Sequence, residues 1–442
     1  MILLAVIYYP QGYILEFNAM KEKQNAIDRR NFLKTVGAAG LGSALAGTTV
    51  ALTGCKDKEE EQPDIAEPVA KIEPEQTEFP HVPQRILGKT GIKIPCLSFG
   101  TFQVDVDNQI LLRKTLQYGV SLWDTAYSYG GGNSELGIGK FLSKNPKVRK
   151  NLFLVTKASD AKTPEEIEKR LKTSLERMNT DYIDLYYGLH QCPDPAWLTD
   201  EVRKWAESAK ERKLIRHFGI TSHENSAIVL AAAASLLWIE AIMTPYNFHL
   251  MQDPQLQAAI DACHKAGIGL IAMKTQGMGQ KVETEADKKL VEHFLQRGFT
   301  KEQAKIKLVL EDKRFSSACV GMKNVSVLNS DVAAVLDKTK LTRADIEVFK
   351  EYAKATCSGY CAGCAYICDS ALADAAYVSD IMRYLMYHNS YGEQAEAKRL
   401  FAQIPRKVRN KLLDMDYTLA EAHCPQHLPI SELVAEAVSK LA

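Results

Sequence analysis

Short apolar runs alternate with amphipathic segments from about Arg85 onwards. The runs predict eight strands: Pro95–Phe99, Ser121–Asp124, Leu152–Lys157, Ile183–Leu189, Ile215–Thr221, Ala241–Thr244, Gly269–Lys274 and Ser317–Val320. The intervening segments have helical periodicity, as in Thr163–Met178, which opens with a capping sequence, and Asp253–Ala266. This alternation predicts an α/β fold, a (β/α)8 TIM barrel over residues 83–338. A doubly wound sheet is the alternative, but no G-x-G-x-x-G motif follows the first strand.

Polar residues lie at the ends of three neighbouring strands of this predicted barrel. Asp124 ends the second strand and Tyr129 follows it, Lys157 ends the third strand, and His190 follows the fourth. Successive groups are separated by about one strand–helix repeat. Barrel enzymes carry their active sites at the C-terminal ends of the strands, so we expect these four side chains on one rim.

The four residue types suit the reduction of a carbonyl group. Hydride arriving at the carbon leaves an alkoxide, which takes a proton from a general acid such as Tyr129. A neighbouring lysine ammonium favours the phenolate and is expected to lower the pKa of the tyrosine. Asp124 would hold Lys157, and His190 would hydrogen-bond the substrate oxygen. Singly, these residues would be explained as an ion pair and rim packing; together, at one-repeat spacing, they indicate an active site.

These motifs resemble those of the aldo/keto reductases. The similarity rests on Asp124–Gly130, Val155–Lys157 and Leu189–His190, and it extends from Arg85 to about Val335. The resemblance implies an oxidoreductase that acts on a small-molecule carbonyl substrate, an aldehyde or ketone and possibly a sugar. It assigns Tyr129 as proton donor, Lys157 and Asp124 as its tuning pair, and His190 as the residue that orients the carbonyl.

The same resemblance implies NADP or NAD as cofactor. It places cofactor contacts at Thr221, Ser222, Met273, Gly321 and Lys323. Thr221 and Ser222 stand where the family usually has Ser and Asn beside the nicotinamide carboxamide, and Met243 replaces the usual strand-six glutamine. Met273 would pack on the nicotinamide ring, and Lys323 would receive the adenosine phosphate near a helix N-terminus.

Cysteines are concentrated in a predicted helical domain over residues 339–442. Cys361, Cys364 and Cys368 have C-x2-C-x3-C spacing, and Cys424 precedes a proline. Three close cysteines with a remote Cys-Pro are typical of ferredoxin-type ligation, which predicts one 4Fe-4S iron–sulfur cluster held by these four residues. The ending resembles a cluster motif appended to one branch of the aldo/keto reductases. A structural zinc site and Cys357 as fourth ligand are the alternatives.

The first 55 residues have the features of an export signal. Arg29–Lys34 form a twin-arginine signature, an apolar stretch follows from Val36, and Leu52–Cys55 resembles a lipoprotein processing box. The prediction is export through the twin-arginine translocase, a periplasmic location and a lipid anchor at Cys55. Met20 opens a conventional charged leader and is the predicted true start. Residues 56–82 are predicted to be a disordered acidic linker.

Bulk composition narrows the functional classes only slightly. A net charge of +1 over 442 residues gives the protein no positive electrostatic field that would attract nucleic acid. Three classes remain: a carbonyl reductase that uses a nicotinamide, an iron–sulfur electron-transfer protein on a reused barrel, and a binding module. The set of four rim residues favours the first.

Overall fold

Eight parallel strands close into a barrel in the computed structural model, which describes residues 79–278, 284–372 and 377–442. A short antiparallel hairpin of β1 and β2 precedes it. The strands are β1 (Gln84–Ile86), β2 (Lys93–Pro95), β3 (Leu97–Gly100), β4 (Leu122–Asp124), β5 (Phe153–Lys157), β6 (Ile183–Leu189), β7 (Ile215–Thr221), β8 (Ala241–Pro245), β9 (Gly269–Met273) and β10 (Phe315–Gly321). The order around the barrel is β10-β3-β4-β5-β6-β7-β8-β9.

The predicted barrel is therefore confirmed, and two strands, β6 and β7, have the predicted bounds. The first predicted strand differs because its proline belongs to the hairpin. Pro95 pairs with Gln84 in the antiparallel ladder, and barrel strand β3 begins two residues later at Leu97.

Ten α-helices accompany the barrel strands or directly follow them in the part of the chain that the structure describes. They are α1 (Gln109–Gln117), α2 (Asn133–Lys144), α3 (Pro164–Met178), α4 (Asp200–Glu211), α5 (Ser226–Ala233), α6 (Pro254–Lys265), α7 (Glu285–Gln296), α8 (Lys301–Glu311), α9 (Val325–Leu336) and α10 (Arg343–Ala355). The capping sequence predicted before α3 forms a capping box, in which Thr163 accepts from the backbone of Glu166 and the Glu166 side chain accepts in return. Such reciprocal bonds satisfy donors that a helix start otherwise leaves unpaired.

The hydrophobic core has one layer outside the strands and another inside the barrel. The inner layer combines strand side chains such as Val155, Leu185 and Ile271 with residues of the N-terminal hairpin. Leu87 and Ile94, both fully buried, close the barrel at the end opposite the predicted site. The hairpin therefore closes only one end of the barrel and leaves the C-terminal ends of the strands uncovered by it.

A second hydrophobic core, from Cys368 to Leu441, lies within residues 357–442, which are named the C-terminal region below. Its helices are α11 (Ala365–Ser370), α12 (Val378–Met386), α13 (Gln394–Gln403), α14 (Arg406–Arg409), α15 (Thr418–His423) and α16 (Ile430–Leu441), with a π-turn over Tyr387–Tyr391. Helix α10 packs elsewhere: Phe349 and Ala353 share a cluster with side chains of α7 and α8. The predicted boundary at residue 339 stays a prediction, and the second core begins later in the chain.

The C-terminal region lies on the C-terminal end of the barrel. Loops after four strands hydrogen-bond or pair with it: Gln103 donates to Tyr391 O, Asp160 lies 3.8 Å from Arg399, Asn225 N donates to Gly363 O, and Asn247 donates to Tyr360 Oη. After a fifth strand, Lys274 Nζ lies 5.5 Å from the ring centroid of Tyr387. The region therefore covers the mouth where barrel enzymes hold their substrates.

The predicted leader, with the Met20 start and Cys55, lies outside the described residues, as does the linker up to residue 78. Within the part of the chain that the structure describes, no helix is long and apolar enough to cross a membrane.

Candidate active site

The four predicted catalytic residues come together at the C-terminal ends of β4, β5 and β6. Lys157 Nζ donates to Asp124 Oδ2 at 2.6 Å, to Thr125 O at 2.7 Å and to Tyr129 Oη at 3.3 Å. Lys157 is 1 % exposed and Asp124 is 3 % exposed. Burial raises the pKa of Asp124, whereas the adjacent lysine lowers it. The Lys157 ammonium thus uses all three of its N–H donors, and one of them is directed at the phenol oxygen of Tyr129.

Tyr129 differs from the prediction in its acidity. Burial raises the pKa of the phenol well above its usual range, and the Asp124 carboxylate contributes to the rise. The predicted lowering by Lys157 does not prevent this rise: its ammonium lies 2.6 Å from Asp124 Oδ2 and 3.3 Å from the phenol oxygen. The ring is positioned by Phe102, which packs edge-on against it with centroids 4.7 Å apart. Tyr129 is consequently protonated throughout the neutral pH range.

His190 is a neutral imidazole on the same rim. Its Nδ1 lies 3.1 Å from Ser159 Oγ, which also accepts a hydrogen bond from Ser128 Oγ at 2.9 Å. Burial lowers the pKa of His190 well below its usual value, and the Lys157 and Arg383 charges lower it further. Ser159 is a positioning residue that the sequence did not single out, although it lies only two positions after Lys157.

The predicted cofactor contacts fall into a buried group and an exposed group. Thr221 and Ser222 are fully buried and use their hydroxyls internally: Thr221 Oγ1 accepts from Gln191 N at 2.8 Å, and Ser222 Oγ donates to Glu224 O at 2.9 Å. Met273 ends β9 inside the barrel and is 9 % exposed. Each hydroxyl retains acceptor capacity, since it has two lone pairs.

Gly321 and Lys323 form the exposed group at the end of β10. Helix α9 begins directly after them, and Asn324 caps it by accepting a hydrogen bond from Val327 N at 2.9 Å. A helix N-terminus beside a lysine has the charge and the donors that a phosphate group requires. This end of the predicted site fits the anionic half of a dinucleotide.

The structure also brings the four predicted cluster ligands together. Burial raises the pKa of Cys361 to about 11 and that of Cys364 to about 12, and the neighbouring Cys424 contributes to both rises. The pKa of Cys368 is raised by burial and, to a smaller extent, by the neighbouring Cys361, Cys364 and Cys424. Among the described residues, no three or more His, Cys, Asp or Glu side chains are close enough to hold a single metal ion.

A family comparison agrees with the rim geometry. The family described as "Aldo/keto reductase family" matches residues 97–355, which is more than half of the chain. The chain belongs to the aldo/keto reductase family. It is therefore an oxidoreductase by family, which does not favour the electron-transfer and binding-module alternatives.

Curated relatives and solved structures align with the barrel. An L-galactose dehydrogenase of Arabidopsis thaliana is 25% identical over 306 residues, covering 61% of this chain and 95% of that protein. An aldo-keto reductase of Schizosaccharomyces pombe, whose name includes NADP(+), is 28% identical over 222 residues. The match covers 45% of this chain and 62% of that protein.

Two solved structures share the fold. The aldo-keto reductase AKR11C1 from Bacillus halodurans, in its holo form, has a TM-score of 0.51 at 23% identity and covers 62% of this chain and 97% of that chain. A thermostable aldo-keto reductase, Tm1743, with the inhibitor epalrestat has a TM-score of 0.52 at 24% identity. It covers 61% of this chain and 100% of that chain. At these identities the likeness concerns the fold alone.

Sequence reasoning missed the residues that line the mouth on the side of β7 to β9. His223 packs edge-on against His190 with ring centroids 6.1 Å apart, and Tyr387 of the C-terminal region packs 5.9 Å from Phe102. Lys274 follows β9 directly. A signal existed for the lysine, because it ends a predicted barrel strand as Lys157 does. No local signal marks Tyr387, which reaches the mouth through long-range packing.

Proposed function

We propose that this aldo/keto reductase reduces the carbonyl group of an aldehyde or ketone with NADPH or NADH, and that Tyr129 is the proton donor. The observation that carries the proposal is the hydrogen-bonded set on the rim, in which Lys157 joins Asp124 and Tyr129. The bound nicotinamide would supply a hydride, that is, one proton with two electrons, to the carbonyl carbon. Gly321, Lys323 and the start of α9 would hold its phosphate groups.

The protonation states of the rim residues suit this reaction. Tyr129 is protonated before reaction because its pKa is raised. When the carbonyl oxygen becomes an alkoxide, which is a stronger base than a phenolate, Tyr129 transfers its proton to that oxygen. Lys157, 3.3 Å from the phenol oxygen, then stabilises the phenolate until it regains a proton from solvent. His190, being neutral, can direct its second nitrogen at the substrate oxygen.

Replacing Tyr129 with phenylalanine tests the proposal. The variant keeps the ring packed on Phe102 and deletes the hydroxyl. Its turnover on a panel of aldehydes and ketones is expected to fall about 10²–10⁴-fold, while its nicotinamide affinity, measured by fluorescence titration, changes less than about threefold. Turnover within about tenfold of the wild type would assign the general acid to another group.

We also propose that Cys361, Cys364, Cys368 and Cys424 hold one 4Fe-4S cluster. The support is the mutual proximity of these four cysteines. A cluster is larger than a zinc ion, so its thiolates stand further apart than those of a zinc site. Such a group would tie the end of the chain to residues 361–368 and could transfer single electrons.

Paired cysteine variants test the cluster ligands. Cys424→Ser is expected to lose most of its iron and acid-labile sulfide and to expose the C-terminal region to hydrogen exchange. Cys357→Ser should retain the wild-type iron content. Zinc without sulfide in the wild-type protein would contradict the cluster, and the reverse pattern of iron loss would contradict the ligand set.

We propose, finally, that the protein is exported through the twin-arginine translocase to the periplasm and lipidated at Cys55. The support is the sequence Arg29–Lys34 and the box that ends at Cys55. Replacing Arg29 and Arg30 with lysine keeps the charge, and it should leave unprocessed protein in the cytoplasm. Cys55→Ala should abolish labelling by a fatty acid. Normal processing of the Lys-Lys variant would exclude this route.

A further inference from the structure

A cavity lies between the β7–β9 side of the barrel mouth and the C-terminal region. Its lining combines barrel residues with residues more than eighty positions later in the chain, among them His223, Lys274, Tyr360, Cys361, Arg383 and Met386. Two of these residues, Lys274 and Arg383, are basic. Two basic side chains at one cavity give it a positive electrostatic potential, which favours an anionic group.

Lys274 is held in an unfavourable backbone conformation at this cavity. Its φ is +53°, a left-handed conformation that costs a residue with a side chain about 1 kcal/mol or more. Two hydrogen bonds to its carbonyl oxygen maintain it, from Asn247 Nδ2 at 3.0 Å and from Gly277 N at 2.9 Å. Such conformations persist where the surrounding structure fixes them, and they concentrate at ligand sites.

The Lys274 ammonium has no hydrogen bond or ion pair within the described residues. Its closest aromatic neighbour is the ring of Tyr387, 5.5 Å from Nζ. Burial lowers the pKa of Lys274 to about 7, the Arg383 guanidinium lowers it further, and Cys361 acts in the opposite direction. The side chain is half-buried, so an anion brought into the cavity would find a positive charge that no carboxylate of the described residues contacts.

The second cation of the cavity already has a partner. Arg383 forms a short ion pair with Asp380, and Tyr384 Oη donates to the same carboxylate oxygen at 3.4 Å. Glu224 also lies nearby, but burial raises its pKa to about 7, with Asp380 adding to the rise, and Ser379 is its hydrogen-bond partner. Among the described residues, Lys274 is therefore the basic side chain of this cavity that has no carboxylate partner.

The cavity adjoins the catalytic rim through two pairs of rings. His223 packs against the catalytic His190 at 6.1 Å, and its buried Nδ1 has no partner among the described residues. On the other side, Tyr387 contacts Phe102, which packs on Tyr129. A substrate whose carbonyl reaches Tyr129 and His190 would extend its remaining atoms towards Lys274.

We propose that Lys274 binds a carboxylate of the substrate, so that the preferred substrates are aldehydes or ketones that carry a carboxylate group. This inference rests on the proposed function and specifies its substrate class. Arg383, fixed by Asp380, contributes positive potential from the C-terminal region, and Asn247 positions Lys274. The C-terminal region would thus complete the substrate site as well as cover it.

Matched substrate pairs test the proposal on the full-length protein. Each pair differs in one carboxylate: glucuronate and glucose, succinate semialdehyde and butanal, 4-carboxybenzaldehyde and benzaldehyde. The measured quantity is the acid-to-neutral ratio of kcat/KM in the wild type, Lys274→Met and Lys274→Arg. Lys289→Met, which removes an exposed lysine of α7, is the control for loss of a charge.

The wild type should favour the acid in at least one pair. Lys274→Met should lower that ratio about 10- to 100-fold, the value of a charged hydrogen bond, whereas Lys274→Arg retains most of the preference and Lys289→Met all of it. A wild type that prefers no acid, or a ratio unchanged in Lys274→Met, overturns the proposal. An effect of Lys274→Met confined to nicotinamide affinity or to the iron content would assign the lysine to the cofactor or the cysteines instead.

A separate binding measurement distinguishes this inference from the proposed function. If the wild type reduces no member of any pair with either nicotinamide, the reductase function fails. Calorimetry with the alcohol products, gulonate and 4-hydroxybutyrate, then reports on the site alone. Binding that Lys274→Met weakens at least tenfold would support the carboxylate site without turnover, and equal affinity in both proteins would overturn it.

Discussion

The two sides of the barrel mouth hold their polar groups in different ways. On the β4–β6 side, Lys157 finds its partners at the end of β4 and in the loop after it, 28 to 33 positions away in the chain. On the β7–β9 side, Asn247 donates to Tyr360, 113 positions away, and Lys274 has no polar partner among the described residues. The first side is complete within the barrel, whereas the second is completed by the C-terminal region.

Under the proposed function, this difference separates reaction chemistry from substrate recognition. The proposed proton donor, Tyr129, must keep its geometry whatever the substrate, which requires a buried set such as that around Lys157, in which every donor is used. A recognition group must retain capacity for the ligand, and the proposed one, Lys274, does so because it has no hydrogen bond or ion pair among the described residues. The appended region changes the second side and leaves the first intact.

Replacing Lys157 with methionine should have the largest effect. Turnover is expected to fall about 10²–10⁴-fold, and the free energy of unfolding by about 3–5 kcal/mol, because Asp124 is left buried and uncompensated. Both are measurable by steady-state kinetics and by urea unfolding. The double variant Asp124→Asn/Lys157→Met should regain stability without regaining activity; recovery of both would show that the pair is only structural.

The barrel and its catalytic side could be predicted because their signals are local. Strands β6 and β7 are uninterrupted apolar runs, and Asp124, Lys157 and His190 recur at one-repeat spacing. The acidity of Tyr129 could not be predicted, since it depends on burial and on how Asp124 and Lys157 share their charge. The cavity could not be predicted either, because Tyr387 and Arg383 reach Lys274 only after two cores have packed together.

Gly363→Ala should separate the C-terminal region from the β7 side of the mouth. Gly363 has a φ of +76°, and an added Cβ would lie 2.5 Å from His223 O. We expect a loss of about 2–4 kcal/mol in the free energy of unfolding, from backbone strain plus overpacking. Gly392→Ala is the matched control, since its φ is +75° with no atom within 4 Å. Equal losses in the two variants would mean that the contact with His223 contributes nothing.

His249 should make the β8 side sensitive to acid. It is 7 % exposed and stacks on Tyr360 with ring centroids 4.4 Å apart. Burial lowers its pKa to about 3, with the Lys305 charge contributing. Because the unfolded chain binds this proton near pH 6.5, stability is complete above that pH and is lost between about pH 6.5 and 3.

The acid sensitivity is measurable as a difference between variants. From pH 7 to 5 the wild type should lose about 2 kcal/mol more than His249→Phe, which keeps the stacked ring without the titrating group. Urea unfolding at both pH values gives this number. His81→Phe, at an exposed histidine, serves as control. Parallel losses in the wild type and His249→Phe would assign the acid sensitivity to other groups.

Asp160→Asn should have the smallest effect, although it too breaks a contact between the barrel and the C-terminal region. Asp160 lies 3.8 Å from Arg399, and both side chains are more than 40 % exposed. Exposed pairs contribute about 0–1 kcal/mol, and Arg399 already pairs with Glu396 at 2.7 Å. Asparagine also tolerates the φ of +61° at this position. We expect a change below about 0.5 kcal/mol in urea unfolding. A loss comparable with that of Gly363→Ala would mean that surface charge, and not the buried contacts around His223 and Lys274, attaches the C-terminal region to the barrel.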